Sequence, residues 1–285
     1  MNKTKIEYLD YSWNPLAMRC TPVSEGCANC WHIAIARRMA NNPKIAPELR
    51  EAYSGDFPPV LIESRLNDPE RLRKPSIIGV QFMGDLFHAS VTFSTVELIM
   101  KTVLHCQHHT FVFLTKRPQR MAKYFRWAAQ NSSLVGFQPP SNAMLGVTVE
   151  NEPNAWRIQE LLQIPAVHGK LFISYEPALG PLELGFLCKE CGAYYDYSEL
   201  RYSEGDCLTE DCRGGYDQQF SEPGLVIAGC ESGPKHRPAN TDWFRSVRDQ
   251  CQEAGVPFFL KQMEIGGKVV SMPELDGRAW KEWPK

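Results

Sequence analysis

Cys20, Cys27 and Cys30 follow a C-x6-C-x2-C spacing in a stretch rich in turn residues. Trp13-Asn14-Pro15 precede it, Pro22, Gly26 and Asn29 lie within it, and a helical pattern begins at Trp31. A loop of this kind can fold three thiolates around one centre, and the helix start behind it favours negative charge on sulfur. Three is an informative number. Structural zinc normally closes its shell with four ligands, and a cubane iron–sulfur cluster takes four thiolates. Three thiolates on a 4Fe–4S cluster leave one iron open to a chelating ligand. The alternatives are a zinc knuckle whose fourth ligand lies elsewhere, with His32 nearby, or buried structural thiols.

A second cysteine set stands at Cys188-Lys-Glu-Cys191 and Cys207-Leu-Thr-Glu-Asp-Cys212, two close pairs fifteen residues apart. This is a zinc-ribbon layout with the second pair widened to x4. A metal would hold together a segment too small to bury a core of its own. Zn2+ is the favoured ion, and an auxiliary iron–sulfur cluster suits four thiolates equally. Tyr194, Tyr195, Tyr197, Arg201 and Tyr202 in this segment read as its small core or as a stacking surface for nucleobases. Acidic residues at 190, 204, 206, 210 and 211 argue against a simple phosphate clamp.

The elements that would position these groups alternate. Apolar strand patterns at residues 76–82, 109–115, 143–149, 170–174, 225–229 and 257–260 are separated by helical patterns at about 94–106, 118–130, 156–162 and 243–254. Ser94 with Glu97 predicts a capping box for the first of these helices, and residues 5–19 read as irregular. The alternation predicts an α/β fold with a parallel sheet, closed or partly closed as a barrel. Each strand ends in polar residues: Gly84-Asp85, Thr115-Lys116-Arg117, Glu150-Asn151, Ser174 with Glu176, Glu231-Ser232-Gly233 and Lys261-Gln262. The carboxyl ends of parallel strands line active sites, so the series predicts a shared site. Lys116, Glu150 and Glu231 are its candidate catalytic residues, and His88 is a further candidate. Surface caps or structural ion pairs are the alternative for any single member.

The 285 residues suffice for one large domain or two small ones. With 43% hydrophobic and 22% charged residues the composition is globular. A net charge of −2 supplies no global field toward nucleic acid, so a nucleic-acid substrate would need a local basic groove. No apolar run approaches the length of a membrane span and the N-terminus has no apolar signal region. The expectation is a cytoplasmic protein whose ten cysteines serve metals before disulfides.

Several ordered motifs resemble a phage and bacterial family of unknown function with a three-cysteine motif. They are Trp13-Asn14-Pro15, the Cys20/Cys27/Cys30 stretch, Asp85-Leu-Phe-His88, Leu114-Thr-Lys-Arg-Pro118, Gly146-Val-Thr-Val-Glu-Asn151, Ser174-Tyr-Glu-Pro177, Glu231-Ser-Gly233, Phe258-Phe-Leu-Lys-Gln262 and Asp276-Gly277. That family is distantly similar to radical S-adenosylmethionine (radical SAM) enzymes. The resemblance implies a partial (β/α)6 TIM-like barrel over residues 1–185 and 223–285, with a zinc-ribbon-like insert at 186–222. It implies a 4Fe–4S cluster on Cys20, Cys27 and Cys30, and S-adenosylmethionine as cofactor. Gly84 and Asp85 would stand where such enzymes hold the methionine amino group, Ser174 and Glu176 would meet the ribose or methionine, and Lys116 with Arg117 would hold a carboxylate or phosphate. Two features depart from the general radical SAM pattern: the first gap is x6 instead of x3, and Asn29 stands where an aromatic residue usually precedes the last cysteine. The implied partners are an electron donor and DNA or a modified nucleotide, with isomerisation of an amino-acid-modified thymine as the implied reaction. The reading from a different class is a zinc-dependent nucleic-acid-binding or accessory protein without redox chemistry.

Overall fold

Long apolar runs punctuated by polar turns fold here as buried parallel strands with helices between them. A computed structural model describes residues 1–131, 138–165, 169–202, 207–209, 212 and 220–284. The chain is α/β with a nine-stranded, mostly parallel sheet. It forms two compact units, Met1–Gly146 and Val147–Lys285. Among the described residues no strand pairing closes the sheet into a barrel, and no helix is long and apolar enough to cross a membrane.

In the first unit the large sheet has β1 (Asn2–Lys3), β2 (Tyr11–Trp13), β3 (Ile77–Val80) and β4 (Thr110–Thr115), hydrogen-bonded in that order. β1 runs antiparallel to β2, while β2, β3 and β4 are parallel. β5 (Ala143–Thr148) carries the boundary between the units. The three-cysteine stretch leads into α1 (Trp31–Ala40), followed by α2 (Pro47–Ser54), whose Ala52 and Tyr53 pack with Ala17 and Ala36. Helices α3 (Phe93–His105) and α4 (Pro118–Asn131) follow β3 and β4. Proline at the first position of α4 costs no helical hydrogen bond. Trp13 is fully buried, packs edge-on to Phe111 and donates its indole N–H to the Arg65 carbonyl at 2.7 Å.

In the second unit α5 (Trp156–Leu162) is followed by β6 (Leu171–Tyr175), β7 (Leu225–Gly229), α6 (Thr241–Glu253), β8 (Phe258–Ile265) and β9 (Lys268–Ser271). β6, β7 and β8 are parallel and β9 returns antiparallel. Every residue of β5, β6 and β7 is buried, as strands covered on both faces require. Each fully buried large apolar side chain contributes about 1.5–3 kcal/mol. Between β6 and β7 a separate three-stranded sheet orders Tyr194–Asp196, Gly185–Cys188 and Phe220–Ser221.

Three expectations need correction. Residues 5–19 are not irregular: they carry β2 and the short strand Leu16–Ala17, which pairs with Val60–Leu61. Ladders of two or three residues leave too little periodicity to read. Helix α3 is capped by Thr92, whose hydroxyl accepts the Thr95 amide at 3.2 Å, so Ser94 lies inside its first turn. Lys261 and Gln262 do not follow a strand but lie within β8, which the antiparallel β9 extends to Ile265.

Candidate functional site

The three-cysteine loop is built from short local hydrogen bonds. Glu25–Cys27 forms a 3-10 turn, the Cys27 amide donates to Ser24, and Cys30 stands at the N-cap of α1. Cys27 is buried while Cys20 and Cys30 are half-buried. Among the described residues, the group of His, Cys, Asp or Glu placed to hold a metal ion does not include these three thiols. Burial first, and then the Asp85 carboxylate, push the Cys20 thiol up to about 11, against the Arg117 guanidinium beside it. His32, the suggested fourth zinc ligand, is buried and accepts the Cys20 amide on Nε2 at 3.2 Å. Burial and then Arg19 pull its pKa down to about 4, so the ring is neutral, with a buried Nδ1 that has no partner. The Cys20 amide already engages the nitrogen nearest this loop, which disfavours a knuckle completed by His32.

The carboxyl ends of β3 and β4 hold that loop. Arg117 donates through Nη1 to Asp85 Oδ2 at 2.8 Å and to Cys20 Sγ at 3.5 Å, and through Nη2 to the Thr21 carbonyl at 2.8 Å and its hydroxyl at 3.0 Å. Asp85 also accepts from the Phe87 amide and from the Thr115 hydroxyl at 2.8–2.9 Å. His88 places Nε2 2.8 Å from the Thr21 hydroxyl, while Ser90 meets Nδ1 through its hydroxyl at 2.6 Å and its amide at 3.2 Å. Since the Ser90 amide must donate, Nδ1 accepts and Nε2–H donates to Thr21. Burial, then Arg117, lowers the His88 pKa and keeps the ring neutral.

Two backbone features fix the start of this network. Gln81 is buried in the left-handed region at φ 54°, and its amide ties the Leu16 backbone to Met83. Strain of this kind persists only where the surroundings hold it. Gly84 has φ 139°, and a Cβ there would come within 2.8 Å of Met18. Lys116 contributes its backbone amide, 3.4 Å from Asp85 Oδ2, whereas Arg117 supplies the charge that reaches the loop.

The second unit has its own strand-end networks. Lys261 Nζ donates to Glu176 Oε1 at 2.8 Å, and the buried Ser174 hydroxyl donates to Oε2 at 3.3 Å. A Cβ on Gly229 would stand 2.7 Å from Glu176 Oε1, so glycine at the end of β7 makes room for that carboxylate. Glu231 is clasped by Arg237 through Nη2 at 2.6 Å and Nε at 3.1 Å, and it also accepts the Arg237 amide. Glu150 is wholly buried and pairs at 2.8 Å with the equally buried Arg157, which also donates to the Thr148 carbonyl. Ser174, Glu176 and Lys261 therefore meet, while Glu150 and Glu231 are each committed to an arginine.

The insert gathers its four cysteines. The ligand atoms of Cys188, Cys191, Cys207 and Cys212 all lie within 4.8 Å of one another and could hold a metal ion. Cys191-Gly192 turns with Gly192 at φ 76°, and the Cys188 amide donates to the Ala193 carbonyl at 2.8 Å. The Tyr195 hydroxyl lies 3.2 Å from Cys207 Sγ and 2.6 Å from the Thr209 hydroxyl. Burial opposes the Cys207 thiolate, yet hydrogen bonds from Tyr195 and from Thr209 bring its pKa down to about 6. Phe186, Cys188 and Tyr195 form the insert's core with Tyr197 packed against it, so these tyrosines are structural. The side chains of Arg201 and Tyr202, and residues Glu204, Asp206, Glu210 and Asp211, lie outside the described residues. Thr21 and Thr209 carry no sequence signal as partners, and Thr115 and Tyr195 read only as a strand-end residue and an insert aromatic, because the reach of each hydroxyl depends on the folded turn.

Fold and site together define an α/β protein with a four-cysteine group suited to a metal ion. The family described as a protein of unknown function, DUF5131, matches residues 3–284, and the chain belongs to it. No curated protein and no solved structure matches the chain.

Proposed function

We propose that the chain is a radical S-adenosylmethionine enzyme in which Cys20, Cys27 and Cys30 hold a 4Fe–4S cluster. One observation carries this reading. Arg117 from the end of β4 and His88 from beyond β3 both reach the start of the cysteine loop at Cys20 and Thr21, which supports a loop held at the carboxyl ends of parallel strands. The donor set fits a cluster better than a single ion. Structural zinc closes its shell with four ligands, whereas three thiolates can each take one corner of a cubane and leave its fourth iron open. When bound, the cluster and S-adenosylmethionine would supply one-electron cleavage of the sulfonium and hydrogen abstraction from an unactivated carbon.

The chain's own part is orientation and charge. Arg117 fixes Cys20 and Thr21 against Asp85, and Gln81 and Gly84 set the backbone that presents Asp85. In the second unit Glu176, held by Ser174 and Lys261, offers a carboxylate to a hydroxyl or amine. The succession of parallel strands in chain order within each unit supports a partial (β/α)6 barrel, since doubly wound sheets reverse their order. In this reading an electron donor serves the cluster, the substrate is an amino-acid-modified thymine in DNA, and the insert's cysteines hold a separate ion.

The test is anaerobic reconstitution of the full chain with iron and sulfide. The expected result is a brown protein that yields 5′-deoxyadenosine from S-adenosylmethionine, with both properties lost in Cys27→Ala. A colourless wild type that retains only zinc would establish the second reading, a zinc-dependent binding or accessory protein. That reading is favoured by a single observation: among the described residues, the insert's cysteines form the group gathered at single-ion distance.

A further inference from the structure

We infer that the insert binds one tetrahedral ion of the zinc class, and not a second iron–sulfur cluster. The inference goes beyond radical chemistry and does not depend on it. Four sulfurs sharing one zinc at about 2.3 Å each stand about 3.8 Å apart. Cys188 and Cys212 place their sulfurs 3.7 Å apart, Cys191 and Cys207 place theirs 3.5 Å apart, and no pair among the four exceeds 4.8 Å. All four are free thiols, well beyond disulfide bonding distance. A cubane hangs each thiolate from a different iron, on the outer corners of a body instead of around a point. Its sulfurs must stand farther apart than those that share one ion.

The surroundings agree with a compact ion. Cys188 is itself a core residue of the insert, with Phe186 and Tyr195. Its pairing partner strand leads to Tyr195, whose hydroxyl reaches Cys207 from the other cysteine pair. The two pairs are therefore already joined through protein contacts at single-ion spacing, with no room between them for four irons and four sulfides. Cys191 is exposed, so the group opens to solvent on that side.

Metal content of the full chain tests the inference. The variant Cys20→Ala/Cys27→Ala/Cys30→Ala, grown with both metals present, should carry one zinc per chain and no iron. Cys191→Ser alone should lose that zinc while its iron content matches the wild type. Replacement of zinc by Co2+ in the otherwise unaltered protein should give the intense visible bands of tetrahedral thiolate cobalt, a readout that survives even if Cys191→Ser folds poorly. Iron and sulfide retained by the triple variant, absence of any bound metal, or an octahedral cobalt spectrum would each overturn it. Failure of the radical reading would show instead as a wild type without iron, and it leaves the zinc count unchanged.

Discussion

The chain carries two cysteine sets that differ in almost every physical respect. The insert's set converges on a point and is wired by hydroxyl and amide donors. The loop set instead meets a guanidinium at Cys20, and that guanidinium pairs with the Asp85 carboxylate. In the insert Cys188 belongs to the core itself, whereas in the loop Cys20 is held by Arg117, which pairs with Asp85. The lesson is that ligand count alone does not identify a metal centre. The spacing imposed by the fold, and the charge placed beside each sulfur, say what kind of body is to be held.

The largest expected effect separates the two sets by their dependence on metal. Among its described residues the insert buries Phe186, Leu187, Cys188 and Tyr195, and a core that small needs a staple. Stripping its ion with a chelator should abolish hydrogen-exchange protection in Gly185–Cys188 and Tyr194–Asp196 while β6 and β7 keep theirs. Unchanged protection in the insert would mean that it folds without metal and would erase the contrast.

The loop should instead depend on its anchor. Arg117 and Asp85 are largely buried, and removing one partner leaves the other charge uncompensated. Arg117→Ala should cost about 3–5 kcal/mol in urea unfolding and weaken iron retention. Arg117→Lys, which keeps the charge without the two-pronged reach, should fall between. A loss within about 0.5 kcal/mol, the scale of ordinary surface changes, would show that strand ends do not hold the loop.

Thiol reactivity sharpens the same comparison. Cys20 and Cys207 are both half-buried, but one thiol is pushed up to about 11 and the other down to about 6. At neutral pH the thiolate fractions differ by about four orders of magnitude. The weaker nucleophilicity of the low-pKa sulfur returns about two of them. Iodoacetamide should therefore alkylate Cys207 about a hundredfold faster than Cys20 in metal-free protein, read by mass spectrometry of the peptides. Equal rates would mean that the two sulfurs feel similar fields.

Much of this contrast was legible in the sequence. The cysteine spacings and the buried strands stand out because apolar runs and close Cys pairs are local signals. What escaped was everything decided by a partner far along the chain. Glu150 reads as a strand-end acid, and only the fold shows that Arg157 occupies it. Lys116 and Arg117 are equivalent on paper, and the turn after β4 decides that Arg117 reaches Cys20. Lys261 reads as lying beyond its strand because the apolar run stops at Leu260, while pairing with β9 carries β8 onward to Ile265. Thr92 and Ser94 are both good caps, and the helix begins where Thr92 can reach the Thr95 amide. The left-handed Gln81 has no sequence signature, since glycine or asparagine would be expected there.

The smallest expected effect lies in a single hydroxyl. Tyr195 donates toward Cys207 and thereby opposes the burial that would keep that thiol protonated. With the pKa lowered from 9.0 to about 6, Cys207 is a thiolate above pH 6, and protons compete with metal at this sulfur as the pH falls through that value. Tyr195→Phe keeps the ring in the insert's core but removes the donor. The Cys207 pKa should then move back toward its ordinary value, and the pH edge for metal release should shift upward. Zinc affinity at neutral pH should fall about tenfold, the lower end of what outer partners of metal ligands contribute. Competition with a chromophoric chelator across pH 5 to about 8, the range in which a thiol shifted this way titrates, reads both quantities at once. An unmoved edge with unchanged affinity would make Tyr195 a packing residue only, and the insert's readiness for metal would then rest on the convergence of its sulfurs alone.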